Sequence, residues 1–168
     1  MAFTSSSMFR AWTAAILGQG QTAAVLPAGY AGLGADTVKV ALFNNTGTPD
    51  KDAALTSTGY NTGQWVTANE VTGSGIWAAG GRPLSSKTIT SPATGVTMFD
   101  AADLAGAGSG TLTNAFGCLV YDDTITAGTG GIADQGICFN YFGGAQSVTA
   151  GTFTIVWNAN GIAWITSS

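Results

Sequence analysis

The carboxylates of Asp122 and Asp123, with Asp134 beyond a glycine-rich loop, are the closest this sequence comes to residues spaced for chemistry. Neighbouring acidic oxygens are what a calcium ion requires. This spacing fits no calcium-loop pattern, however, and no glutamate follows to close a site. Aspartates at a strand end more commonly turn the chain through their own backbone. Zinc needs imidazole or thiolate ligands, and the chain offers no histidine and only two cysteines.

The missing histidine also removes the usual proton carrier at neutral pH. Glu70 is the only glutamate, and Asp100 and Asp103 lie in a loop-like stretch, so no carboxylate pair stands out for glycoside hydrolysis. A serine nucleophile would lack its usual base, and no Gly-x-Ser-x-Gly elbow occurs. Gly18-Gln19-Gly20-Gln21-Thr22-Ala23 matches a loose dinucleotide fingerprint. That motif needs a strand before it and a helix after it, whereas here a helical pattern precedes it and a Gly/Ala/Pro connector follows. Helix termination accounts for these glycines. Asn44-Asn45-Thr46 matches a glycosylation acceptor, a triplet common by chance. The residues therefore predict no catalytic group, no metal and no cofactor.

Aromatic residues are the remaining candidates. Trp65 and Trp77, flanked by polar residues and glycine, are the pair expected to be exposed, where they could stack on a sugar. Buried tryptophans are the commoner case. Phe3, Met8, Phe9 and Trp12 make the N-terminal segment a candidate protein contact. Trp157 and Trp164 flank Asn160-Gly161 at hairpin spacing, which places them across from one another as core or interface anchors.

The elements that would carry these residues are mostly strands. Ser5-Ser6-Ser7 resembles an N-cap, and Met8, Trp12, Ala15 and Ile16 share one helical face before Gly18, predicting a single short helix over about 7–17. Residues 1–35 then form an arm with a Gly/Ala-rich connector, and 36–168 a single β domain. Val38–Phe43, Phe116–Tyr121, Ile137–Phe142 and Thr152–Trp157 read as strands, with shorter ones near Lys87–Thr90 and Thr97–Asp100. Cys118 and Cys138 are symmetric about Gly128; a cross-strand disulfide is open to them, and two buried free thiols are the better reading.

With 168 residues the chain can bury a core without disulfide or metal staples. Only 8% of its residues are charged, and nine acids against five scattered bases give a net charge of −4. That balance argues against nucleic acid. No apolar run is long enough for a membrane helix, and no secretory signal is visible, so synthesis in a cytoplasm is expected. A surface of Thr, Ser, Asn, Gly and Ala is inexpensive to desolvate against a neighbouring protein, which suits life inside an assembly.

Several stretches, taken in order, resemble a family of small virion proteins of tailed bacteriophages. They are Asp36–Phe43, the run from Asn69-Glu70-Val71 through Trp77 to Gly81, Phe99–Leu104, Leu119–Thr124, Phe142-Gly143-Gly144, and the segment from Phe153 to Ile165. Together they cover most of the chain. The resemblance implies a mainly β protein, an antiparallel, jelly-roll-like β-sandwich with one short N-terminal helix. Its role would be a head decoration (cement) protein on the outer surface of the capsid, bridging subunits of the major capsid protein. It would act as a homo-oligomer, a trimer being plausible, assembled in the host cytoplasm. The family brings no catalytic residues. The apolar N-terminal segment departs from the lysine-bearing helix usual in such proteins. A tail or fibre component is the alternative within the virion, and a carbohydrate-binding module using Trp65 and Trp77 the alternative outside it.

Overall fold

The computed structural model describes residues 3–10, 13, 32–126 and 132–166. The chain is mainly β, and its paired strands are antiparallel. Strands β1 (Ser7–Met8), β2 (Val38–Phe43), β3 (Arg82–Pro83), β7 (Gly110–Asp122) and β8 (Gln135–Gly151) form a five-stranded sheet in the order β1-β8-β7-β2-β3. Strands β4 (Thr88–Thr90), β5 (Val96–Asp100) and β10 (Ala163–Thr166) form a three-stranded sheet in the order β10-β5-β4. The short β6 (Leu104–Ala105) and β9 (Thr154–Ile155) pair with one another.

β2 is buried on both faces, which explains why Val-Lys-Val-Ala-Leu-Phe reads as a nearly continuous apolar run rather than an alternating one. Directly paired residues share a face. Met8, Cys138, Val120, Val40 and Arg82 therefore form one row across the sheet, with Phe139, Leu119 and Ala41 on the opposite face. That second face carries an aromatic layer centred on Trp65, whose ring meets Phe3, Phe9, Phe43 and Phe139 at centroid distances of 5.1 to 6.0 Å. On the Cys138 face lies the turn into β10, where the Cys138 thiol faces the Ile162 carbonyl at 4.0 Å.

Three sequence expectations change here. Ser7 and Met8, expected to begin a helix, pair with Phe139 and Cys138 as a strand. Phe9 and Arg10 then bond to Ile137 and Lys51 through their backbone N–H groups, and the one helical bond described runs from Thr13 N–H to Phe9 C=O at 3.2 Å. The sheet edge thus captures the start of the segment, because burying Phe3 and Phe9 against Trp65 outweighs local helix propensity. The rest of the expected helix, Trp12 included, lies outside the described residues.

The Asn160-Gly161 hairpin does not form. Gly161 N–H bonds to Asn158 C=O at 2.8 Å, which puts Ala159 and Asn160 at the corner, and Asn160 is not in the left-handed conformation a tight hairpin there requires. Gly161 is left-handed instead (φ +75°), and a Cβ on it would lie 2.6 Å from the Phe99 carbonyl. Ile162 N–H bonds to that same carbonyl, so the chain departs to β5. Trp164 lies across from Met98, and β9 pairs with β6, leaving Trp157 and Trp164 in different places.

The β7–β8 ladder forms as expected but runs longer, with several register shifts. Its register sets Cys138 opposite Val120 and Cys118 opposite Asn140, two residues away from the symmetric pairing. Both thiols are free and buried.

Candidate functional site

Phe3 and Phe9 are not free to touch a neighbour, since both are buried in the Trp65 layer. Trp65 and Trp77, expected to be exposed, are 1% and 0% accessible. Neither presents a ring face to a sugar: Trp65 is enclosed by four phenylalanines, and Trp77 stands edge-on to Phe153 at 5.8 Å. Small polar neighbours in sequence misrepresent them, because their partners arrive from distant strands. Trp157 is half-buried and pinned, its backbone N–H bonding to Asp103 at 3.0 Å and its indole N–H to the Ala102 carbonyl at 3.2 Å.

Met8 and Trp164 do come together. They line an open groove of about 380 Å3 between β1, an edge of the large sheet, and β10, an edge of the small one; Cys138, Asn140 and Ala163 form its floor and sides. Trp164 keeps 39% of its surface in solvent, with its indole N–H bonded to the Thr166 hydroxyl at 2.9 Å.

The small sheet is unusual in what it leaves outside. Phe99 and Ala163, paired at its centre, are buried and anchor it to the core. Ile89 (56%) and Ile165 (40%) stay exposed on its edge strands β4 and β10. Asp100 is the only charged residue in β4, β5 and β10. Sequence reasoning missed Ile89 and Ile165. Thr88-Ile89-Thr90 alternates as a half-buried strand should, but β4 lies at an edge where no layer covers the isoleucine. Val156, 71% exposed just after β9, was missed as well.

The acids near the β7–β8 loop have separate partners. Asp123 pairs with Lys39 at 2.8 Å. Asp122 is fully buried and accepts the Thr124 N–H at 2.9 Å, and one oxygen each of Asp122 and Asp36 is buried with no hydrogen-bond partner among the described residues. Burial pushes the Asp122 carboxyl up from its ordinary range, despite the Thr124 N–H, and the neighbouring Asp36 charge adds to the effect. Burial likewise raises Asp134, helped by the charge of Asp123. Among the described residues no group of His, Cys, Asp and Glu is arranged to hold a metal ion.

Glu70 sits in a closed network. Its two oxygens accept the Tyr60 hydroxyl at 2.7 Å and the Gly80 N–H at 2.9 Å, while the Tyr121 hydroxyl donates to the Gly80 carbonyl at 2.6 Å. The rings of Tyr60 and Tyr121 stack at 5.0 Å. Burial and the bond to Glu70 push the Tyr60 phenol up to about 12, and burial raises Tyr121 too, so neither phenol ionises near neutral pH. Every donor and acceptor here is directed at another part of the fold, and the network locks the 70–81 segment onto β7.

The chemistry on offer is therefore that of a contact surface: apolar side chains on a weakly charged sheet with two open edges. Comparison with family models, with curated proteins and with solved structures finds no match to this chain.

Proposed function

We propose that this chain is a non-catalytic structural virion protein, a head decoration protein that binds the outer surface of a bacteriophage capsid and bridges subunits of the major capsid protein as a homo-oligomer, plausibly a trimer. The observation that carries this reading is the small sheet, which keeps Ile89, Trp164 and Ile165 in solvent and has Asp100 as the only charged residue within its three strands. Exposed apolar side chains cost little in a surface destined to be covered, and uncharged surroundings need little desolvation. The groove between Met8 and Trp164 extends that surface to the edge of the large sheet. The finer architecture we assign is a sandwich in which the small sheet packs over the Cys138 face, with one short N-terminal helix.

A protein that binds only the assembled lattice stabilises it by its own binding free energy, repeated at every site. The test is co-sedimentation of the purified full chain with expanded capsids lacking it. Saturable binding that raises the capsid's unfolding temperature is expected, and absence of binding overturns the assignment. Rings or tubes formed by the isolated protein would favour a tail component instead.

A further inference from the structure

A second groove, on the far side of the large sheet from β1, is built differently. It has a volume of about 450 Å3 and is lined by the 72–79 segment, Arg82 of β3 and Ala107. Trp77 is wholly buried, yet its indole N–H has no acceptor among the described residues. The Nε of Arg82 is buried and unpartnered too, and the Arg82 guanidinium forms none of the ion pairs found among the described residues, which use Arg10, Lys39 and Lys51. Buried donors without acceptors are rare in folded proteins, because each forfeits its bonds to water. Two of them on residues lining one open groove, one carried by a cation, call for an acceptor from outside.

The groove is held in shape. Gly73 and Trp77 exchange both backbone hydrogen bonds at 2.9 Å, closing a tight loop. A Cβ on Gly73 would lie 2.5 Å from the Thr111 carbonyl, and one on Gly106 2.7 Å from the Ile76 side chain, so this loop is clamped against the start of β7 and the chain leading into it. Ala107 N–H bonds to the Ile76 carbonyl at 2.9 Å. A preformed pocket loses little entropy when filled.

We infer that this groove binds a carboxylate side chain carried by an extended segment of a partner protein. One guanidinium matches one negative charge, and a carboxylate has oxygens enough to accept from both Arg82 and Trp77. Ile76, Ala78, Ala79 and Ala107 offer an apolar wall to the residues beside the acid. A phosphate would bring a second charge to a groove with a single cation in a molecule of net charge −4. The inference does not depend on the capsid assignment, since the groove is separate from the exposed sheet.

The test follows the Trp77 indole resonance of the 15N-labelled full chain, assigned with Trp77→Phe. Titration with acetyl-Ala-Asp-Ala-amide should move it saturably, and the Asn peptide should bind at least about tenfold more weakly. Arg82→Gln should erase the preference for Asp, whereas Arg82→Lys, which keeps the charge without the planar fork, should retain part of it. No movement, equal affinity for the Asp and Asn peptides, or an unchanged preference in Arg82→Gln overturns the inference. Tighter binding of inorganic phosphate than of the Asp peptide overturns the ligand class. The comparison of the two peptides stands even if the Arg82 variants fail to fold.

Discussion

Trp65 and Trp77 are equally buried, and each carries an indole N–H without an acceptor, yet they sit in opposite kinds of surroundings. Trp65 is the hub of a closed aromatic layer in which rings from the N-terminal segment, β2 and β8 meet it. Among the described residues Trp77 touches one ring, that of Phe153, and lines an open groove beside Arg82, which forms no ion pair with any of them. Burial alone does not distinguish a residue that holds the fold from one that waits for a partner. The difference lies in how many elements converge on the side chain and whether solvent reaches the space beside it.

Truncation should separate the two most clearly. Trp65→Ala removes the contact joining three elements, and its cavity is fenced by rigid rings, so a loss of ~4–5 kcal/mol is expected by chemical denaturation. Phe9→Ala should cost ~3–4 kcal/mol, because the same layer depends on an N-terminal strand that can peel away. Trp77→Ala should cost less, ~2–3 kcal/mol, since the space it leaves opens onto a groove rather than onto a ring-lined cavity. If Trp77→Ala proves the most damaging, the contrast between a closed hub and an open wall is wrong.

The same contrast recurs among the acids. Glu70 has a donor for each oxygen, whereas Asp122 and Asp36 each leave a buried oxygen with no donor among the described residues. Asp122 is raised from 3.8 to about 7, chiefly by burial. Between those values the folded protein holds a proton that the unfolded chain releases, so the contribution to stability is complete below 3.8 and lost as the pH rises through about 7. Glu70 and Asp134, also raised by burial, act in the same direction. The melting temperature should therefore climb from pH 8 to pH 5. Asp122→Asn, which keeps an acceptor for Thr124 and supplies a donor for Asp36, should flatten that slope. It should also gain on the order of 1–2 kcal/mol at pH 8, after allowance for solvent screening. An unchanged pH slope in this variant would show that Asp122 holds no such proton.

The strands were legible where their own residues decide them. Val38–Phe43 and the two arms of the β7–β8 ladder are apolar enough to demand burial in any context, and both thiols were readable as buried and free. What failed depended on partners distant in the chain. The Asn160-Gly161 signal was strong locally, but the Phe99 carbonyl accepts the Ile162 N–H and draws the chain to β5. Met8 fits a helical stripe with Trp12, Ala15 and Ile16, yet an open edge of β8 and, for its neighbour Phe9, the ring of Trp65 lay within reach. Of the candidate contact residues, Met8 and Trp164 do meet at one groove, although by a route the sequence did not suggest. The Arg82 groove was invisible, because an arginine without a partner looks in sequence like any other surface charge.

The smallest effect expected on the isolated chain is also the most informative. Ile89→Thr, Trp164→Ser and Ile165→Thr alter side chains with more than a third of their surface in water, on strands where a β-branched residue remains favourable. Each should shift stability by no more than ~0.5 kcal/mol, against ~3–4 kcal/mol for Phe99→Ala, whose ring is buried in the middle strand of the same sheet. Apolar side chains that contribute so little to their own fold are free to bury themselves against a partner. The three substitutions together should therefore leave the melting curve nearly unchanged and abolish co-sedimentation with capsids. If instead they melt the protein, the small sheet is simply a thin part of the core, and its exposed face carries no argument about a partner.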